Sequence, residues 1–210
     1  MGEKLSYIHR FEKGAAADAR PLLLLHGTGG DENDLVPLGH MVAPNAPLLS
    51  PRGKVLENGM PRFFRRLAEG VFDEDDVRRR ADELADFIAE AHTRYGVSSP
   101  IALGYSNGAN IAAAILLLRP EALAGAILLR VTAPLSLTPP VDLTGKPILI
   151  ASGVSDPIIP PEGATRLASL LQRQGAIVEH RVLPTGHELS QADVTLARTW
   201  MQAHGHPAVP

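Results

Sequence analysis

Ser106 sits in Gly104-Tyr105-Ser106-Asn107-Gly108, between the apolar run Ile101 to Leu103 and an apolar stretch that begins at Ala109. Glycines two residues before and two residues after a serine let a chain leave a strand, turn sharply and enter a helix with the hydroxyl raised at the turn. Such a hydroxyl is a candidate nucleophile for acyl transfer. The five-residue pattern alone is weak, because the glycine and serine content of the chain gives roughly 0.08 occurrences by chance. The strand before it and the helix after it give it weight. The plainer reading of Ser106 is a residue that caps a buried helix.

A serine hydroxyl is too weakly acidic to attack a carbonyl unaided, so a base and an acid that orients the base must lie elsewhere. For a serine raised on such a turn the partners follow in the order Asp or Glu, then His. Asp156, in Ser152-Gly-Val-Ser-Asp-Pro157, follows the apolar run Ile148 to Ala151, and His187, in Pro184-Thr-Gly-His187, follows Ile177 to Leu183. Both fall just beyond the C-terminal ends of expected strands, where active sites of parallel sheets lie. Taken singly, Asp156 is also an ordinary turn former and His187 is one of eight histidines; chain order and position together favour a triad. The stretch His26-Gly-Thr-Gly-Gly30 supplies a pliant backbone whose Thr28 amide can face a developing oxyanion, with the Asn107 amide as second donor. Other readings of this loop fail: Glu32 stands where a dinucleotide fingerprint needs its third glycine, and the Gly-Lys-Ser/Thr of a phosphate loop is absent. His26 reads as a structural residue of the turn.

The elements that must position these groups are legible as alternating patterns. The unbroken apolar run Leu22 to His26, and the runs Pro47 to Leu49, Ile101 to Gly104, Ala126 to Leu129, Ile148 to Ala151 and Ile177 to Leu183 read with it, predict strands buried on both faces. Helical spacing recurs at Val77, Ala81, Leu84, Ala85 and Ile88 behind the acidic start Asp73 to Asp76. It recurs again at Ala164, Leu167, Ala168 and Leu171 after Pro160-Pro161, with Gly175 as the stop, and at Val194, Ala197 and Met201 after an N-cap at Ser190. The run Asn107 to Arg119 predicts a helix apolar all round. Strands alternating with helices predict an α/β fold, a mostly parallel central sheet with helices on both faces, over one domain at 1–210. Tyr7 to Lys13 alternates and predicts an antiparallel edge; His204 to Pro210 is expected to fray.

Composition narrows the function. With 45% apolar and 20% charged residues the chain can bury a core, and 20 Lys+Arg against 23 Asp+Glu, net −3, leaves no basic field for nucleic acid or anionic lipid. The absence of cysteine excludes disulfides, thiolate metal sites and a thiol nucleophile. His204-x-His206 is the nearest approach to metal-ligand spacing; no metal or organic cofactor is expected. The opening MGEKLSYIHR carries charges where a signal peptide needs an apolar stretch, so the expected location is cytoplasmic, without stable membrane association. Met1-Gly2 with Ser6 matches a myristoylation spacing only weakly.

Together the blocks Leu25-His-Gly-Thr-Gly-Gly-Asp-Glu-Asn-Asp-Leu35, Gly104-Tyr-Ser-Asn-Gly-Ala-Asn-Ile111, Ser152-Gly-Val-Ser-Asp-Pro157 and Gly186-His-Glu188 resemble the α/β-hydrolase superfamily. Within it they resemble the phospholipase/carboxylesterase family of small bacterial carboxylesterases and acyl-protein thioesterases. Glu57 to Arg66 is similar to a subgroup linked to hydroquinone stress, from whose pattern Arg130-Val-Thr-Ala-Pro134 departs. The resemblance implies Ser106 as nucleophile, His187 as base, Asp156 as its orienter, and Thr28 and Asn107 amides as the oxyanion hole. It implies a small-molecule ester substrate; long-chain thioesters or lysophospholipids are the alternative, and a homodimer is left open. No cap domain is expected, because only the short loop Arg130 to Pro147 lies where larger relatives insert one. Selectivity then falls to that loop, starting at Arg130, and to an irregular excursion, Pro51 to Asp73, carrying Met60, Phe63, Phe64, Leu67 and Phe72. Those side chains either wall an acyl groove or pack the excursion onto the body. Arg62, Arg65 and Arg66 read as a solvated charge cluster, with pairing to a substrate carboxylate or phosphate as the other reading.

Overall fold

The computed structural model describes residues 5–16, 19–136 and 140–205. In chain order its strands are β1 (His9–Glu12), β2 (Leu22–Leu25), β3 (Leu48–Pro51), β4 (Val55–Glu57), β5 (Met60–Arg62), β6 (Arg66–Ala68), β7 (Val71–Phe72), β8 (Ile101–Tyr105), β9 (Gly125–Leu129), β10 (Pro147–Gly153) and β11 (Ile177–Leu183). The α-helices are α1 (Val36–Val42), α2 (Glu74–Tyr95), α3 (Asn107–Leu118), α4 (Pro161–Arg173) and α5 (Gln191–His204). Seven strands form one sheet in the order β1-β3-β2-β8-β9-β10-β11, parallel throughout except that β1 runs antiparallel to β3.

The apolar strands β2, β3, β8, β9 and β10 are explained by cover on both faces; β11 is a correction, for it is an edge strand with no fully buried residue, as its central Glu179-His180-Arg181 requires. One face packs under α2, α3 and α4 through Leu84, Ile88, Ile115 and Leu167; the other packs under α1 and α5 through Val36, Val42, Trp200 and Met201. α3, buried along almost its whole length, is the helix predicted to be apolar all round. Asp73 caps α2 by accepting the Asp76 N–H, and three acidic residues in the first turn suit the helix dipole. The chain leaves β2 toward β3 and later returns to β2's other side as β8, so the sheet's order reverses between β2 and β8. Loops at the C-terminal ends of the strands diverge there and leave a crevice.

Three further expectations change. Pro51 to Asp73 is not irregular: it holds two hairpins, β4–β5 and β6–β7. The first turns at Asn58-Gly59, with φ of 52° and 82°, the left-handed pair that a two-residue hairpin loop favours. The strand predicted at Pro47 to Leu49 runs instead to Pro51 because β1 pairs along it from Glu12↔Leu48 to His9↔Pro51. His204 is not frayed; it ends α5 with its ring beside Trp200, while residues 206–210, like Met1 and Gly2, lie outside the described residues. Between β9 and β10 the described residues form neither helix nor strand, and no cap domain stands over the crevice. Among the described residues no helix is long and apolar enough to cross a membrane.

Candidate active site

The turn from β8 into α3 leaves no room for larger residues at its two glycines. A Cβ on Gly104 would stand 2.6 Å from the Gly108 carbonyl oxygen, and one on Gly108 would stand 1.9 Å from the Leu25 carbonyl oxygen. Between them Ser106 takes φ 53° and ψ −113°, a conformation that costs a non-glycine residue free energy and persists only because its surroundings enforce it. They do so from three sides: buried β8, buried α3, and a hydrogen bond from Ser106 N–H to the Leu129 carbonyl of β9 at 2.9 Å. Asn107 is the first residue of α3, so its N–H belongs to the set a helix cannot satisfy internally.

Asp156 and His187 arrive from the ends of β10 and β11. His187 Nε2 lies 3.0 Å from Ser106 Oγ, and His187 Nδ1 lies 2.8 Å from Asp156 Oδ2. Asp156 Oδ1 accepts the Ile158 and Ile159 N–H groups at 2.8 and 2.9 Å. Burial pushes this carboxyl up, but those backbone donors and His187 outweigh it and hold Asp156 below the ordinary carboxylate range. An ionised Asp156 only accepts, which assigns the imidazole proton to Nδ1 and leaves the Nε2 lone pair for the serine O–H.

Thr28 follows β2 and shares a cleft of about 740 Å³ with Ser106, Asn107 and His187. The first hairpin braces this loop: Arg62 Nη1 donates to Thr28 Oγ1 at 2.9 Å, and Gly29 N–H donates to the Pro61 carbonyl at 2.9 Å. The adjoining Phe63 N–H donates to Asn107 Oδ1 at 2.7 Å, so the segment that ends the hairpin holds both candidate oxyanion peptides. His26 is buried and structural as expected: its Nδ1–H donates to the Gly27 carbonyl and its Nε2 accepts the Gly53 N–H at 3.0 Å. The cleft's apolar wall is Phe72, Tyr105, Ile158 and Ile159, and its rim carries Glu69, Glu162 and Arg166.

The expected pocket wall is largely corrected. Phe63 and Phe64 are fully buried, Phe63 tilted against His26 and Phe64 edge-to-face with Phe72, because the hairpin needs an apolar anchor into the core. Met60 lies over Gly29 rather than in the cleft, and Leu67 is 69% exposed on the second hairpin. Of the excursion's apolar residues only Phe72 lines the site. The three arginines are not a free solvated cluster: Arg62 and Arg66 both pair with Glu57, at 3.3 and 2.7 Å, while lining the cleft, and Arg65 pairs with Asp73.

Arg130 is the largest correction. Its side chain is completely buried, at a backbone φ of 56°, in a bidentate pair with Asp193 at 2.8 and 2.9 Å. It also donates to the Gly186 carbonyl (2.8 Å), Thr185 Oγ1 (3.0 Å) and the Glu188 carbonyl (3.1 Å). These three acceptors belong to the loop that carries His187, so Arg130 is an internal bolt for that loop and not a pocket wall. Asp193, Thr185, Ile158, Ile159 and Thr132 escaped the sequence reading. Asn110 did have a signal, since it lies one helical turn beyond Ser106 and lines the same cleft.

The model of the phospholipase/carboxylesterase family matches residues 8–205. MhqD of Bacillus subtilis (strain 168) is 46% identical over 195 residues, covering 91% of this chain and 96% of that protein. The Bacillus cereus carboxylesterase structure superposes with a TM-score of 0.93 at 44% identity, over 95% of each chain. A carboxylesterase from Mesorhizobium loti gives 0.90 at 34% identity, over 94% of this chain and 95% of that one. Family, sequence and fold agree along nearly the whole chain, and the chain is a serine hydrolase that belongs to the phospholipase/carboxylesterase family.

Proposed function

We propose that this enzyme is a carboxylesterase for small to medium acyl esters, acting through Ser106, His187 and Asp156. The observation that carries the reading is the continuous hydrogen-bond chain from Ser106 Oγ through His187 to Asp156, at the reversal point of the sheet. Ser106 Oγ attacks the ester carbonyl carbon while His187 Nε2 takes its proton, and Asp156 stabilises the resulting imidazolium. The carbonyl oxygen becomes an oxyanion facing the Thr28 and Asn107 N–H groups. As the intermediate collapses, the C–O bond to the alcohol breaks and His187 returns its proton to the departing oxygen. Water then attacks the acyl-enzyme with His187 again as base, which releases the acid and restores Ser106.

The cleft supports the substrate range. Phe72, Ile158 and Ile159 offer apolar contact for a short acyl or alcohol chain, and the charged rim formed by Glu69, Glu162 and Arg166 disfavours a long one. A series of p-nitrophenyl esters tests this: activity is expected to peak at short to medium acyl chains and to vanish in Ser106→Ala. Intact hydrolysis in Ser106→Ala would overturn the nucleophile. An optimum at long acyl chains would instead make the enzyme an acyl-protein thioesterase or lysophospholipase.

A further inference from the structure

We infer that the outer edge of β11 joins a second copy of this chain, antiparallel, about a two-fold axis at His180. β11 ends the sheet, and among the described residues nothing pairs with its far side. Ile177 N–H donates to the Lys146 carbonyl and the Leu183 carbonyl accepts the Val154 N–H, both at 2.9 Å. Odd-numbered residues of β11 therefore point their backbone groups toward β10. By the alternation of a parallel ladder, Val178, His180 and Val182 turn their N–H and C=O groups outward. A seven-residue edge without proline is a template for another strand unless something blunts it. It is also apolar on the outside: Ile177 is 63% exposed, Val182 51%, and the neighbouring Val154 58%.

The sequence of the strand is self-complementary. Ile177-Val-Glu-His-Arg-Val-Leu183 reads from either end as two apolar residues, a charged residue and then His180. Antiparallel pairing centred on His180 sets Ile177 opposite Leu183, Val178 opposite Val182, and Glu179 opposite Arg181 on both sides of the axis. A closed two-fold interface needs this property, because each patch must complement itself. The charges also select the register. Moving the axis one residue either way would place Glu179 against Glu179 or Arg181 against Arg181, and directly opposed like charges destabilise a strand pair. Within one chain Glu179 and Arg181 already lie 2.8 Å apart on an exposed face. Across the axis they form a four-charge set, and the two sheets become one.

Light scattering on the eluting protein, with sedimentation equilibrium over a concentration series, is expected to give a mass twice the chain's 22.4 kDa. Arg181→Glu is expected to raise the dimer dissociation constant about tenfold or more. Glu179→Arg combined with Arg181→Glu restores it, because the swap keeps the pairing; far-UV circular dichroism confirms that each variant is folded. The chain has no cysteine, so His180→Cys introduces a single thiol on the axis. Opposed Cα atoms there are about 5.5 Å apart, within disulfide reach. Mild oxidation should link this variant covalently, and should not link Gln202→Cys on α5. A monomeric parent at all concentrations overturns the proposal. So does a dimer indifferent to Arg181→Glu, or linkage of His180→Cys no faster than of Gln202→Cys.

Discussion

Asp156 spends one carboxylate oxygen on two backbone N–H groups and the other on His187. Asp156→Asn keeps the first set, but the amide then presents N–H to His187 Nδ1. The imidazole proton moves to Nε2, where it no longer accepts from Ser106. The expected result is a fall in kcat of about 10⁴-fold, with slowed labelling of Ser106 by a fluorophosphonate and an unchanged circular dichroism spectrum; full activity in this variant would remove Asp156 from the proposed machinery. The three residues of the chain from Ser106 to Asp156 are legible in the sequence for a local reason. Each lies just beyond the end of a strand and within two residues of a glycine or proline that forces the chain to turn, so identity, order and position are all written within a few residues.

Interactions between elements are much less legible. Arg130 and Asp193 are separated by 63 positions, and neither carries a local pattern that announces burial. Removing one partner of such a pair strands a charge in the interior, so Arg130→Met is expected to cost about 3–5 kcal/mol, read as a lowered Tm. Arg130→Met with Asp193→Leu should recover only part of that loss: no charge is then stranded, but the Gly186 and Glu188 carbonyls and the Ser190 N–H lose their partners. An unshifted Tm in the single variant would contradict the bolt. The hairpins stand between the two cases. Asn58-Gly59 is a readable turn signal, whereas the burial of Phe63 and Phe64 depends on a core assembled from distant strands. Hydrophobicity alone does not distinguish an aromatic that lines a cleft from one that anchors a loop.

For the molecule as a whole, acid stability falls in two stages. Burial lowers the pKa of His26 below its ordinary 6.5 against the opposing pull of the Gly27 carbonyl, Asp34 and Asp31. Its Nε2 must stay unprotonated to accept the Gly53 N–H. The unfolded chain then binds the proton more readily, so this contribution is complete above pH 6.5 and declines as the pH falls below it. Asp156 and Asp76 behave as depressed carboxylates: burial raises both, and their hydrogen bonds, from backbone N–H groups with His187 at Asp156 and Arg79 at Asp76, bring them below 3.8. Their share is present above about pH 4 and is lost as the pH drops through the folded values. Tm measured from pH 8 to pH 3 should decline gently below 6.5 and steeply below 4, and a flat profile between 7 and 5 would contradict the first stage.

The bracing of Thr28 and Asn107 by the segment Pro61 to Phe63 has a consequence for how such an enzyme can diversify. The same excursion supplies Phe72 to the cleft wall, so in the proposed mechanism the part of the chain that meets the substrate also holds the groups that receive the charge of the reaction. Selectivity and turnover share a mechanical support here. A lineage that remodels these hairpins for a new ester must preserve three short bonds or lose rate along with its old preference.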